Sequence, residues 1–288
     1  MNRGPTSHTF ISQRLPLHYL DWGNDGAPPL ILMHGGKDHC RTWDWVAQEL
    51  SKEWHVIVPD LRGHGDSAWA PDGSYSITSY VYDLAQLIHQ KQLSPVTIIA
   101  HSMGGHISLR YAGIYPETVA KIVVIEGMGH PRQYYENLAA QPIEKHLIEW
   151  IETKRAAAGR FPKRYASLDE ACQRMQKENP NLSAEQAEHL TRYGMSQNED
   201  GTYSWKFDNY VRFLNPVDLA RSDDFRLWGN ITCPVRVLWG KDSWVPEPLE
   251  QGLLDHFQDV SLSVIENAGH WLHHDQLDLF LAEIQEFL

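Results

Sequence analysis

Ser102 lies in Ala100-His101-Ser102-Met103-Gly104-Gly105, between the apolar run Val96-Thr97-Ile98-Ile99 and a helix-like segment over 107–115. A serine at such a strand, turn and helix junction has its hydroxyl exposed at the carboxyl end of the strand. The helix amino terminus and the Met103 N–H then face any anion that forms beside it. That is the chemistry of acyl transfer. Serine is a weak nucleophile at neutral pH, so it needs a base, a group that orients the base, and donors for the developing oxyanion. His270, in Glu266-Asn267-Ala268-Gly269-His270-Trp271, follows the last apolar run and is placed to be the base. Asp242, in Trp239-Gly240-Lys241-Asp242-Ser243-Trp244, follows the preceding run and is assigned as the orienting acid. Glu126, ending a strand-like run over 121–126, reads on its own as a strand-end carboxylate satisfied by backbone donors. Gly36, in Met33-His34-Gly35-Gly36-Lys37, and Met103 supply the oxyanion N–H groups, glycine there allowing close backbone approach to substrate.

These residues need elements that bring them together. Runs at 30–33, 55–59, 96–100 and 121–126 read as buried strands, with helices over 43–50 and 77–90 between them, a rhythm that predicts an α/β protein with a largely parallel sheet. Gly104 and Gly105 would let the helix after Ser102 pack close to that sheet, and Pro116 ends it. Over 129–226 strands disappear and helices are expected at 141–158, 168–178 and 183–193, the last two behind serine-led starts. The β/α rhythm resumes with a strand at 235–239, a helix at 247–257, a strand at 261–265 and a closing helix at 276–287. The expected organisation is therefore one core, 1–128 with 227–288, carrying a helical cap at 129–226.

Composition narrows the rest. With 22% charged and 42% hydrophobic residues in 288, the chain is an ordinary globular one with a sizeable core, and a mean hydropathy of −0.45 leaves no membrane span in view. The first residues, Met1 to His8, lack the apolar stretch of a secretion signal, so a cytoplasmic location is expected. Three widely spaced cysteines suggest neither a disulfide framework nor a zinc knuckle. A net charge of −12 without dense basic runs sets nucleic acid aside as a partner. His273 and His274 lack the i, i+4 spacing of a helical metal pair and read as surface or helix-start residues, so no metal is expected. His101 and His34 read as packing and bracing residues. The loop Asp60-Leu61-Arg62-Gly63-His64-Gly65-Asp66-Ser67 lacks a phosphate-loop arrangement and reads as a structural turn with Arg62 and Asp66 in local hydrogen bonds. Of the aromatic candidates for a pocket, Trp43, Trp244, Trp271, His130 and Tyr193, the strongest as substrate-binding residues are Trp244 and Trp271, which flank the acid and the base.

Taken together, His34-Gly35-Gly36, the Asp60–Ser67 loop, the Ser102 elbow, Gly240-Lys241-Asp242 and Gly269-His270 resemble the α/β-hydrolase fold superfamily, in the branch with a helical cap after the sixth strand. Ala100 departs from the usual glycine of the elbow. The order Ser, Asp, His is the one this family uses. The resemblance implies a mostly parallel central sheet flanked by helices, a Ser-His-Asp triad, no cofactor, and a pocket between sheet and cap; it also offers Glu126, at the end of the sixth strand, as the alternative acid to Asp242, since some members of the fold supply the acid to the same histidine from there. It implies a serine hydrolase acting on carboxylic esters with small to medium uncharged acyl groups, its partner a small-molecule ester. Carbon–carbon bond hydrolysis, lactone or amide cleavage on the same triad, and a non-catalytic ligand-binding role remain open, because the fold hosts many chemistries. Serine rather than aspartate at the nucleophile position argues against an epoxide hydrolase or dehalogenase.

Overall fold

The apolar runs become strands wherever both of their faces can be covered. The computed structural model describes residues 4–213 and 218–288; the first three residues of the terminal stretch and residues 214–217 of the expected insertion lie outside the described residues. In chain order the first elements are β1 (Thr6–Ser12), β2 (Leu15–Asp21), β3 (Pro29–Met33), α1 (Asp44–Leu50), β4 (His55–Pro59) and α2 (Ile77–Lys91). Then come β5 (Val96–His101), α3 (Met103–Ile114), β6 (Val119–Ile125), α4 (Arg132–Ala139), α5 (Ile143–Ala157), α6 (Leu168–Glu178) and α7 (Ala184–Gly194). The chain closes with β7 (Met195–Gln197), β8 (Tyr203–Trp205), α8 (Arg221–Gly229), β9 (Val235–Gly240), β10 (Val260–Ile265), α9 (Leu272–Asp275) and α10 (Leu277–Phe287).

Eight strands form one sheet in the order β1-β2-β4-β3-β5-β6-β9-β10. Only β1 against β2 and β2 against β4 run antiparallel; the other neighbours are parallel, as βαβ crossovers require. Alternation along the central strand divides the core. Ile98 and Ala100 of β5 face the side covered by α2 and α3, while Ile99 faces the side holding Trp43, Val46 and Leu50 and, from α10, Phe280 and Ile284. Ala100 is fully buried on the first side, so its methyl group is ordinary core packing at the foot of the elbow.

The glycines after Ser102 do what their placement predicts. A Cβ on Gly105 would sit 2.7 Å from Gly127 Cα, and one on Gly104 would sit 2.6 Å from the His34 carbonyl oxygen. Strand β5, helix α3, the end of β6 and the turn after β3 therefore converge at backbone contact.

Four features differ from the sequence expectation. The β1–β2 hairpin was not anticipated: its turn residues Gln13 and Arg14 both have positive φ, 48° and 68°, without the Asn or Gly that usually marks such a turn. The expected strand-free stretch contains an antiparallel β7–β8 pair, whose three-residue strands are too short to show a period of two. The helix expected at 247–257 is instead a series of turns with a short 3₁₀ segment, Leu254–His256, because Pro246 and Pro248 crowd its start and Gly252 takes a φ of +66°. Finally, α8 starts inside the expected insertion and continues past its expected end at 226, lying so close to α3 that a Cβ on Gly113 would be 2.3 Å from the Leu227 carbonyl oxygen. Elsewhere in the insertion the serine starts are caps: Ser167 accepts from the Glu170 N–H, and Ser183 with Gln186 forms a capping box.

Candidate active site

Ser102 occupies the sharp turn between β5 and α3 with φ 52° and ψ −119°, a conformation that non-glycine residues avoid. The turn is pinned by its backbone: the Ser102 N–H donates to the Ile125 carbonyl at 2.8 Å, and the Gly105 N–H donates to the Ser102 carbonyl at 2.9 Å. Ser102 Oγ lies 3.1 Å from His270 Nε2. His270 Nδ1 lies 2.6 Å from Glu126 Oε2. With Nδ1–H donating to the carboxylate, Nε2 carries the lone pair that faces the serine hydroxyl, the tautomer a general base requires.

The acid assignment is corrected by this geometry. Asp242 is exposed in the turn after β9; its N–H donates to the Ala268 carbonyl at 2.9 Å, and its carboxylate is not the one that meets His270. The carboxylate on His270 is Glu126, whose side chain is fully buried. Glu126 follows β6 in a left-handed conformation, φ 48°, which turns its side chain across the carboxyl end of the sheet. Glu126 Oε1 accepts the Gly240 N–H at 2.8 Å, and Oε2 also accepts the Ser243 hydroxyl at 2.6 Å. The three donors on this buried carboxylate fix its direction. Backbone thus satisfies one oxygen of Glu126, and the other meets His270.

The oxyanion turn stands opposite. A Cβ on Gly35 would be 3.1 Å from Ser102 Cβ, and one on Gly36 would be 3.9 Å from Met103 Sδ, so the glycine turn lies against Ser102 and the Met103 side chain. The Met103 N–H, at the first position of α3, has no acceptor within its helix, and the Gly36 N–H donates to no protein acceptor among the described residues. His34 braces the turn, its Nδ1–H donating to the Gly35 carbonyl at 2.7 Å and its Nε2 accepting the Leu61 N–H at 3.0 Å. Burial, reinforced by the neighbouring His64, brings the His34 pKa down to about 3, so the neutral tautomer that fits both bonds is the one present.

Several supporting residues escaped the sequence reading or change place. His101 is buried, and its Nε2 donates to the His270 carbonyl at 2.8 Å, fixing the backbone of the base; burial holds this ring neutral. Asp275 Oδ2 accepts the Gly269 N–H at 2.8 Å and fixes the same loop from the other side. Within the Trp239–Trp244 loop, Ser243 is the side chain and Gly240 the backbone N–H that reach Glu126. His273 and His274 are helix-start residues of α9 but buried rather than on the surface: His273 stacks on Trp43 with centroids 4.6 Å apart, and His274 Nε2 lies 2.7 Å from Thr42 Oγ1. That stack puts Trp43 in the core and not in a pocket. In the Asp60–Ser67 loop, Arg62 forms a two-point pair with Asp83, and the Asp66 N–H donates to Asp60 Oδ2, as a structural turn requires.

Of the expected binding aromatics, Trp244 is largely exposed with its ring centroid 5.2 Å from that of His270. Trp271 lines a cleft of about 490 Å³ whose wall includes Gly36 and, from the insertion, Tyr165 and Trp205. Tyr193 carries the Arg41 guanidinium over its ring, and His130 lines a second cavity, of about 760 Å³, between α3 and α4.

Known proteins agree with this architecture. A family model described as alpha/beta hydrolase fold matches residues 28–277. The chain is 24% identical over 274 residues to a serine hydrolase-like protein of Danio rerio, covering 93% of this chain and 83% of that one. It is 25% identical over 282 residues to epoxide hydrolase 4 of Mus musculus, covering 95% and 76%. Among solved structures, the thioesterase domain from the curacin biosynthetic pathway superposes with a TM-score of 0.84 at 20% identity, covering 99% of this chain and all of that one. A match over residues 28–277 spans the glycine turn, Ser102, Glu126 and His270. By that match the chain belongs to the alpha/beta hydrolase fold family.

Proposed function

We propose that the protein is a serine hydrolase that cleaves carboxylic esters of small to medium acyl chains through an acyl-enzyme on Ser102. The observation that carries this reading is the unbroken line from Ser102 Oγ to His270 Nε2, 3.1 Å, and from His270 Nδ1 to Glu126 Oε2, 2.6 Å. Ser102 Oγ attacks the ester carbonyl carbon while His270 Nε2 takes its proton, and Glu126 stabilises the imidazolium. The carbonyl electron pair moves to oxygen, facing the Gly36 and Met103 N–H groups. Collapse breaks the bond to the alcohol, which leaves with the proton held by His270. Water then repeats the sequence on the acyl-enzyme, freeing the acid and restoring Ser102.

The segment 129–226 serves as the cap in this reading, since Tyr165 and Trp205 share one cleft with Gly36 and Trp271. One relative is named an epoxide hydrolase, an activity that on this fold uses a carboxylate nucleophile; the serine at position 102 favours acyl transfer instead. The test is labelling by a fluorophosphonate read by intact mass, followed by p-nitrophenyl esters of graded acyl length. Wild type takes one label and turns over the short esters, while Ser102→Ala takes none and loses kcat on the order of a million-fold. An unlabelled wild type, or a Ser102→Ala variant with wild-type turnover, overturns the reading.

A further inference from the structure

The chain carries a net charge of −12, yet the cleft over the oxyanion turn is lined by four cations, Lys37, Lys163, Arg174 and Arg212, against two acids, Asp38 and Glu178. The two acids do not balance them. Glu178 is taken by Arg174, Oε1 to Nη2 2.6 Å, one helical turn away on α6. Asp38 is buried, and burial raises its carboxyl pKa toward the neutral form; its Oδ1 accepts the His39 N–H and its Oδ2 has no hydrogen-bond partner among the described residues. Lys37, Lys163 and Arg212 have no carboxylate within ion-pair distance among the described residues; Lys163 instead lies over the Tyr165 ring at 4.6 Å. Lys37 directly follows Gly36, in a left-handed conformation with φ 64°. Burial and the positive charge of Arg212 together hold the Lys37 ammonium below its usual pKa range. Three cations in one cleft without a carboxylate at ion-pair distance make that cleft favourable for an anion.

We infer that the cleft between Lys37 and Arg212 binds an anionic group of the substrate, a carboxylate or a phosphate, and so selects esters that carry a negative charge. The inference deepens the ester hydrolase reading and rests on it for the site of attack. Gly36 lines this cleft and is also the expected oxyanion donor, so the cleft borders the proposed site of attack.

Two matched pairs of esters test it. Mono-p-nitrophenyl succinate against p-nitrophenyl butyrate places the charge on the acyl side, and 4-acetoxybenzoate against phenyl acetate places it on the leaving group. The readout is the ratio of kcat/KM within each pair. In wild type at least one ratio exceeds one by about tenfold or more, falls as ionic strength rises, and drops about ten- to a hundredfold in Arg212→Gln and Lys37→Gln. Ratios near one, or ratios that the two variants leave intact, overturn the inference while leaving Ser102 as the nucleophile. Calorimetric titration with succinate and with inorganic phosphate decides the site independently of turnover. One of them binds, identifying the source of the anion, and weakens about tenfold in Arg212→Gln; no binding of either overturns the inference even in a protein that takes no fluorophosphonate label.

Discussion

At the scale of single residues, the position of Ser243 matters more than its size suggests. Its hydroxyl is one of two donors that aim the Glu126 carboxylate, the other being the Gly240 N–H. Removing it in Ser243→Ala leaves Oε2 with His270 alone, and a hydrogen bond to a charged group is worth about 1.5–3 kcal/mol. The expected result is a fall in kcat of about tenfold or more on an ester substrate, with fluorophosphonate labelling of Ser102 retained but slower; unchanged kcat would show that Gly240 suffices. The meeting of Ser102 with His270 was legible in the sequence, because both follow strands and strands fix where a side chain emerges. The acid was legible only as a choice. Asp242 and Ser243 are adjacent in a turn, and which of them points inward depends on the bond from the Asp242 N–H to Ala268, a contact made across 26 positions of chain that no local pattern encodes. Glu126 gave one usable signal: an acid at the end of an apolar strand, followed by a glycine.

Elements meet at this site through missing side chains. Helix α3 and the end of β6 touch backbone to backbone at Gly105 and Gly127, where an added Cβ would come within 2.7 Å of a Cα. Gly105→Ala is therefore expected to destabilise the fold by about 1–3 kcal/mol in chemical denaturation, with loss of activity as Ser102 shifts. Gly26→Ala, where a Cβ would meet nothing within 4 Å, is the control and is expected to change stability by less than about 0.5 kcal/mol. Wild-type stability in Gly105→Ala would show that β6 can yield. The close approach was foreseeable from the paired glycines after the elbow. The β1–β2 hairpin and the β7–β8 pair were not, since the first turns on two long side chains in left-handed conformation and the second has strands of three residues.

Across the whole molecule, buried histidines couple stability to pH. Burial lowers the pKa of His34 to about 3, of His64 to about 4 and of His274 to about 3, against 6.5 for the exposed ring. Below pH 6.5 the unfolded chain takes up protons that the folded one refuses. Stability is thus fully present above that pH and is lost as pH falls toward 4, each ring contributing up to about 1.4 kcal/mol per pH unit. The midpoint of urea unfolding is expected to decline steadily from pH 7 to pH 5 with net proton uptake on unfolding; a flat profile over that window would mean that these rings are hydrated. The α/β layering was readable from the rhythm of apolar runs, and His101 was readable as a packing residue, but the burial of His273 and His274 was not, because histidine patterning alone does not separate a core ring from a surface one. The central claim, that Glu126 orients His270 for attack by Ser102, is tested most directly by kcat for ester hydrolysis in Glu126→Gln and Asp242→Asn, measured side by side. The account predicts a loss of about ten-thousandfold in Glu126→Gln and a change of less than about threefold in Asp242→Asn; near-normal turnover in Glu126→Gln with a collapse in Asp242→Asn would contradict it.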